Sequence, residues 1–135
     1  MLGHYLMFNR TCADALAAYA EIFGVPVQDR QRYGDMPPSP DFPVAEADKD
    51  LVLHSRLVID GGEIMGADST GRHQIGSNMY VTVTTKDADL VTKAWAALEV
   101  DGEVYMPLTP TFFSLGHGSL RDRFGVNWMF TILAE

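Results

Sequence analysis

The sequence predicts an α+β fold in which a βαβββ module occurs twice. Three observations lead to this prediction. The chain has 135 residues, which suits one domain with one core. The order strand, helix and three strands is read in both halves, and the halves share letters at fixed offsets. We expect a single domain, 1–135, with module one over about 1–68, a linker over 69–78 and module two over about 79–135.

Module one contains one clear helical pattern, over 12–24, where apolar residues recur every three or four positions and Gly24 can end the helix. Gly61 and Gly62 predict a tight hairpin between two apolar strands. The stretch 34–50 holds four of the seven prolines and is expected to be an exposed, irregular loop. The strands of this module are expected at 4–8, 25–33, 51–60 and 63–68.

Module two repeats this order. Its helix is predicted over 86–98, with Asp87 as a possible N-cap. The stretch DRFG, which ends at Gly125, is interpreted as a hairpin turn, because glycine supplies the backbone freedom that such turns need. By alternation, Trp128 and Phe130 are expected in the core. The strands are expected at 79–85 and 102–108, within the aromatic and glycine-containing segment 109–120, and at 126–133.

The repeat is visible in the letters as well as in the element order. A shift of 75 aligns 5–16 with 80–91 and matches Tyr, Ala and Asp residues. A shift of 63 aligns His54 with His117. Two such modules can pair their sheets into a curved mixed sheet with both helices outside, which leaves a concave cup on the opposite face.

Composition narrows the class of partner. The net charge is −8 with a pI near 4.8, which argues against nucleic acid and is compatible with a cationic ligand. No run of 18 apolar residues is present, so no membrane span is expected. The single cysteine, Cys12, excludes an internal disulfide. The first ten residues lack the pattern of a signal peptide, and we expect a cytoplasmic protein.

Strand alternation predicts which side chains face the cup. His54 and His117 occupy equivalent positions in the repeat, and each could also be an ordinary, partly buried histidine. Similarly, Arg56 suits a solvated charge as well as an anion contact, and the aromatic residues suit packing as well as a ligand. The residues expected to line the cup are Tyr5, Met7, His54, Arg56, Tyr80, Phe112, His117 and Met129.

The doubled βαβββ plan resembles the vicinal oxygen chelate superfamily, which includes glyoxalase I, extradiol dioxygenases, fosfomycin-resistance enzymes and bleomycin-resistance proteins. The closer resemblance is to its PhnB-like branch, sometimes labelled as 3-demethylubiquinone methyltransferase-like. It rests on YLMFNRTCADALAAYAEIFG (5–24), LVLHSRLVIDGGEIMGAD (51–68) and VYMPLTPTFFSLGHGSLRDRFGVNWMF (104–130). The resemblance implies the glyoxalase/bleomycin resistance fold and a homodimer.

The resemblance also implies where a divalent metal would bind in catalytic members of the superfamily. Those positions fall at Gly3, Gly66, Asn78 and Met129, and of these only Asn78 offers an oxygen. Zinc needs three or four N, O or S donors, and octahedral metals need more oxygens. We therefore predict no metal and no other cofactor. A metal site built from His54, His73 and His117 stays open as an alternative without support from spacing.

The sequence is compatible with three functional hypotheses. The first is a metal-free cup that binds a small organic molecule. The second is an enzyme, either a metal-dependent lyase, isomerase or dioxygenase of the glyoxalase type, or a metal-free one. In the metal-free enzyme, His54 or His117 is the candidate general base and Arg56 holds a substrate anion. The third is a structural or partner-binding protein with a vestigial cup. The methyltransferase label gains no support, because no glycine-rich cofactor loop follows a strand.

Overall fold

The chain divides into two compact units, residues 1–73 and 74–135. The computed structural model describes residues 4–71 and 74–134. Each unit is built from one helix and four strands, in the order strand, helix and three strands. The predicted α+β fold with two βαβββ modules is therefore confirmed.

The elements of unit one are β1 (Tyr5–Phe8), α1 (Cys12–Phe23), β2 (Gln28–Arg32), β3 (Val52–Ile59) and β4 (Gly62–Asp68). The strands form a four-stranded mixed sheet with the order β1-β4-β3-β2. Strand β1 runs parallel to β4, and the other neighbours are antiparallel. Two short 3-10 turns, Tyr33–Asp35 and Glu46–Asp48, interrupt the loop that was expected to lack regular structure.

The elements of unit two are β5 (Val81–Thr85), α2 (Ala88–Leu98), β6 (Glu103–Thr111), β7 (Ser114–Arg121) and β8 (Asn127–Ile132). The strands repeat the topology of unit one with the order β5-β8-β7-β6. Strand β5 runs parallel to β8, which lies antiparallel to β7. Strand β6 is longer than expected, and its hairpin with β7 turns at Phe112 and Phe113.

One face of each sheet packs under the helix of its own unit. In unit one, Phe8, Leu16 and Leu57 are buried there. In unit two, Trp128 and Phe130 are fully buried, and their stacked rings lie 5.9 Å apart. The prediction that Trp128 and Phe130 belong to the core is confirmed, because strand alternation places both on the helix side.

The hairpin between β3 and β4 turns one residue earlier than the sequence suggested. Ile59 pairs with Gly62, so the two-residue loop is Asp60-Gly61 and not Gly61-Gly62. Both loop residues have a positive φ, 44° and 81°. An Asp-Gly loop with two positive φ angles has the twist that a two-residue hairpin requires. Gly62 is instead the first residue of β4.

The DRFG stretch forms a turn, as predicted, and Asp122 organises it. The Gly125 amide donates to the Asp122 carbonyl at 3.0 Å, and Gly125 has a φ of 93°. The buried Asp122 carboxylate also accepts hydrogen bonds from Phe124 N, Val126 N and Trp128 Nε1, at 2.9 to 3.0 Å. The turn and the core tryptophan are therefore fixed by one side chain.

Among the residues described, none of the helices combines the length and the apolar character that crossing a membrane would require.

Candidate functional site

The first open face is the side of the unit-one sheet opposite α1, and it consists of Tyr5, Met7, His54, Arg56 and Met65. Register puts Tyr5 beside Met65 and Met65 beside Arg56, so the three lie in one row across β1, β4 and β3. Tyr5 and Met7 are 43% and 40% exposed, which is high for large apolar side chains. The face thus combines accessible apolar surface with polar groups.

Tyr5 and His54 form a pair on this face. The Tyr5 hydroxyl lies 2.8 Å from His54 Nδ1, and the two rings stack with centroids 5.6 Å apart. Burial, followed by the neighbouring Cys12 and Tyr33 groups, raises the pKa of Tyr5 above its ordinary value. At neutral pH the Tyr5 hydroxyl therefore keeps its proton and remains available as a donor.

Arg56 is already engaged by neighbouring side chains. Its Nη2 lies 2.8 Å from Asp29 Oδ2 and donates to Gln28 Oε1 at 3.3 Å, and its Nη1 lies 3.7 Å from Glu63 Oε2. Asp29 has a φ of 53° within an irregular stretch of β2, a conformation that costs energy outside glycine. An anionic ligand would have to compete with these two carboxylates for the guanidinium.

The second open face is the side of the unit-two sheet opposite α2. It carries Thr82, His117, Met129 and Thr131, together with Ser119, which is buried. Register places Met129 between Thr82 and Ser119, and His117 beside Thr131. His117 Nδ1 lies 3.0 Å from Thr131 Oγ1. The alternation that predicted Met129 and His117 on one face is confirmed by this register.

Tyr80 and Phe112 have other surroundings. Tyr80 precedes β5 and packs edge-on against Tyr105, with centroids 6.3 Å apart. The Tyr105 hydroxyl donates to Asn127, whose amide in turn donates to the carbonyls of Gly76 and Met79. Tyr80 is thus part of the packing at the start of β5.

Phe112 is fully exposed at the tip of the β6–β7 hairpin. Its ring packs edge-on against Phe113 at 5.2 Å, and Phe113 packs edge-on against His117 at the same distance. The aromatic residue beside His117 is therefore Phe113 and not Phe112, the residue that was expected to line the cup. Met65 and Thr131 were missed, although alternation along β4 and β8 was available as a signal.

The positions that the resemblance assigns to a metal do not supply a fitting donor set. Gly66 faces the helix side, because a Cβ there would lie 3.1 Å from Phe8 and 3.4 Å from Leu16. Its assignment to the cup is therefore wrong by one residue, since Met65 is the neighbour on the open face. Met129 has only a thioether, and Asn78 lies in the segment before β5. Gly3 lies outside the described residues.

The alternative histidine site gains no support either. Of its three members, His73 lies outside the described residues. Across residues 4–71 and 74–134, no group of three or more His, Cys, Asp and Glu side chains is arranged to hold a metal ion. A thioether, an amide and isolated imidazoles do not fit the donor sets that divalent metals prefer.

Cys12 opens helix α1 but has the surroundings of a structural thiol. It is fully buried, and its Sγ lies 3.5 Å from Ser55 Oγ. Burial is the main cause that raises the pKa of Cys12 to about 11, with the Asp68 carboxylate adding to it. A nucleophilic cysteine needs a lowered pKa, so the thiol is not a candidate nucleophile.

The raised pKa of Cys12 predicts a loss of stability in alkaline solution. The thiol is protonated in the folded state up to about pH 11, but ionises near pH 9 once unfolded. Its contribution is therefore complete below pH 9 and is lost as the pH rises to about 11. We expect the free energy of unfolding to fall by about 2 kcal/mol more in the native chain than in Cys12→Ala over this interval. Urea titrations at pH 8, 9, 10 and 11 measure this difference, and parallel curves would contradict it.

Comparison with known proteins finds solved structures that have the same fold as this chain. The crystal structure of the fosfomycin resistance protein FosX from Listeria monocytogenes is 9% identical, covers 99% of this chain and 92% of its own, and superposes with a TM-score of 0.64. At this identity the likeness concerns the fold alone. The two βαβββ modules of this chain therefore share the fold of that FosX structure.

The family follows from the sequence comparison. The model of the 3-demethylubiquinone-9 3-methyltransferase family matches residues 2–131, and the chain belongs to this PhnB-like family. Protein YjdN of Escherichia coli (strain K12) is 26% identical over 99% of this chain and 96% of its own.

Two solved structures are similar over the whole chain. Protein PA1353 from Pseudomonas aeruginosa is 29% identical, covers 97% of both chains and has a TM-score of 0.84. A putative 3-demethylubiquinone-9 3-methyltransferase, PhnB protein, from Bacillus cereus is 26% identical, covers 96% of this chain and 97% of its own, and has a TM-score of 0.78. The predicted PhnB-like branch is confirmed.

Proposed function

We propose that this protein binds a small organic molecule on the first open face without a resident metal ion. The observation that carries the proposal is the Tyr5–His54 pair, which lies on an accessible sheet face beside the exposed Met7. Small-molecule sites combine apolar lining with a few placed polar groups. Methionine adapts its shape to different ligands, and an exposed tyrosine ring offers a flat apolar surface.

The second open face supports the proposal by its similar chemistry. There, His117 also uses Nδ1 to contact a hydroxyl group, and Met129 and the Phe113 ring supply apolar surface. Of the residues predicted to line a site, we keep Tyr5, Met7, His54 and Arg56 for the first open face, and His117 and Met129 belong to the second. Tyr80 and Phe112 are left out, because one packs at the start of β5 and the other lies at a hairpin tip.

Charge supports a neutral or cationic ligand. On the first open face, one guanidinium is flanked by two carboxylates, those of Asp29 and Glu63. The whole chain has a net charge of −8. An anion would be repelled at long range and would have to displace a carboxylate at short range. We therefore assign Arg56 to shaping the face and not to holding a substrate anion.

The metal-dependent alternative is the activity that the fold would otherwise suggest. The FosX relative was crystallised with Mn(II) and 1S,2S-dihydroxypropylphosphonic acid. In this chain the positions that the resemblance assigns to a metal lack imidazole and carboxylate donors, so we derive no step through a metal. Methyl transfer is not proposed either, because no residue pattern here points to the cofactor that such a reaction needs. We retain a homodimer in the cytoplasm as the expected state of the protein.

A fragment screen tests the binding proposal. Neutral, cationic and anionic aromatic fragments are added to uniformly ¹⁵N-labelled protein, and affinities are taken from amide shifts. We expect neutral or cationic fragments to shift residues of β1, β3 and β4. Binding should weaken at least tenfold in His54→Gln, which is about 1.4 kcal/mol. The matched control is His4→Gln, since His4 is exposed ahead of β1 and outside the proposed site.

Results of two kinds, from the fragment screen and from metal analysis, would overturn the proposal. One is the absence of any fragment that shifts the first open face, or equal affinities in His54→Gln and His4→Gln. The other is about one tightly held metal ion per chain, measured by elemental mass spectrometry. That protein must be purified without chelator or metal-affinity resin and then exposed to Zn, Mn, Ni and Fe.

A further inference from the structure

We propose that Tyr5 holds His54 in the tautomer that carries its proton on Nε2, so that His54 presents a hydrogen-bond donor to a neutral carbonyl oxygen of the ligand. The assignment of the tautomer rests on the Tyr5–His54 geometry alone. The ligand class rests in addition on the proposed function, because it assumes that the first open face binds a small molecule.

The direction of the Tyr5–His54 hydrogen bond follows from the chemistry of its partners. The O···N distance is 2.8 Å, which is typical of a hydrogen bond from a hydroxyl group. A phenol is a better donor than an imidazole N–H, and an unprotonated imidazole nitrogen is a better acceptor than a phenol oxygen. Tyr5 stays protonated at neutral pH because burial disfavours its charged form. The Tyr5 hydroxyl therefore donates to His54 Nδ1.

This hydrogen bond determines whether the other ring nitrogen, Nε2, carries a proton. A neutral imidazole carries one proton, so a lone pair that accepts at Nδ1 places the proton on Nε2. In the part of the chain that the structure describes, the His54 side chain makes no second hydrogen bond. Nε2–H is therefore a donor without an acceptor among the described residues, on the same sheet face as the exposed side chain of Met7. Tyr5 is a positioning residue for this donor.

The fixed tautomer changes the role expected of His54. A general base or a metal ligand needs a lone pair, and Nε2 has none in this tautomer. A neutral imidazole N–H can instead polarise a carbonyl by hydrogen bonding. Carboxylate ligands are disfavoured by Asp29 and Glu63, which flank Arg56 on the same face. A neutral ketone, aldehyde, amide or quinone attached to an apolar body satisfies Nε2–H without adding negative charge.

Nuclear magnetic resonance tests the tautomer directly. Long-range ¹H–¹⁵N spectra of ¹⁵N-histidine-labelled full-length protein at pH 8 distinguish Nε2–H from Nδ1–H, and His54→Gln assigns the signal. We expect Nε2–H alone in the native chain and a mixture of both tautomers in Tyr5→Phe. Tyr33→Phe is the matched control, because its hydroxyl donates to the Asp68 carbonyl and not to a histidine. It should leave the His54 signals unchanged.

A matched pair of probes tests the ligand class. 2-Acetylnaphthalene and 2-ethylnaphthalene have nearly the same shape, but only the first has a carbonyl oxygen. We expect 2-acetylnaphthalene to bind at least fivefold more tightly to the native chain and to shift His54 Nε2. The preference should fall below twofold in Tyr5→Phe and persist in Tyr33→Phe.

The outcomes separate this inference from the function on which it rests. His54 protonated on Nδ1 in the native chain would overturn the tautomer assignment, whether or not a probe binds. Equal affinity for the two probes would overturn the carbonyl preference and leave a binding face in place. A correct tautomer with no binding of either probe, together with an empty fragment screen, would overturn the proposed function.

Discussion

Replacing Asp122 by alanine is expected to lower the free energy of unfolding by at least about 3 kcal/mol. The Asp122 carboxylate is 3% exposed and accepts hydrogen bonds from Phe124 N, Val126 N and Trp128 Nε1. Alanine leaves three donors without this acceptor at a buried site, and each unmet donor costs about 1–3 kcal/mol with incomplete additivity. The free energy of unfolding of a small domain is about 5–15 kcal/mol, so this loss is a large fraction of the total stability.

A double-mutant cycle isolates the bond between Asp122 and Trp128. In Asp122→Asn, one oxygen can still accept the two backbone N–H groups, but the new amide N–H₂ would meet the indole N–H. We expect an intermediate loss, and a smaller one when Asp122→Asn is made in the Trp128→Phe background, where the indole N–H is absent. Urea unfolding followed by circular dichroism measures all four proteins. Additive effects would show that Trp128 does not depend on the Asp122 carboxylate.

The sequence of the DRFGVNW stretch predicts its turn correctly, but it does not predict the contacts that Asp122 makes there. The glycine and the polar letters were enough to predict a hairpin. Alternation along β8 was enough to bury Trp128. That one carboxylate joins the turn to the indole depends on three-dimensional approach, because the bonded groups are two to six residues apart along the chain. No periodicity reports such a contact.

The candidate site was also only partly predictable, because contacts between strands are not visible in the sequence of one strand. Period-two alternation correctly put Tyr5 and His54 on one face, since each is displayed by a regular strand. It could not show that the two form a hydrogen bond across β4, because strand order and register are not written in either strand alone. Gly66 was misassigned for a related reason. A shift of one residue in the alignment of β4 moves a side chain to the opposite face, and glycine has no side chain to reveal the error.

For Arg56, the sequence predicts the correct sheet face but not the carboxylates that pair with the guanidinium there. Its position suggested an anion contact, but Asp29 reaches it from a bulged stretch of β2 with a positive φ. Aspartate tolerates this conformation better than most residues, yet no local pattern announces the bulge. The charge that a ligand meets on a sheet face is therefore set by neighbouring strands, and it becomes known only from the paired structure.

Asp68 is the buried carboxylate of unit one, and its loss should release helix α1 from the sheet. Thr11 stands at the N-cap of α1 but makes no side-chain capping bond. The capping acceptor comes instead from β4, where Asp68 accepts from Cys12 N at 2.8 Å and from Val52 N at 2.9 Å. We expect Asp68→Ala to lower the free energy of unfolding by about 2–4 kcal/mol, because two buried N–H groups lose their acceptor and the helix N-terminus loses a negative charge.

Thr11→Ala is the matched control and should cost less than about 0.5 kcal/mol, although an N-cap threonine usually contributes about 1 kcal/mol. The chain provides a reporter for each unit, because its single cysteine lies in α1 and both tryptophans, Trp95 and Trp128, lie in unit two. In increasing urea, Asp68→Ala should admit alkylation of Cys12 at a lower concentration than the native chain or Thr11→Ala. A large effect of Thr11→Ala with none of Asp68→Ala would mean that α1 is capped by its own N-cap residue and not by a carboxylate from β4.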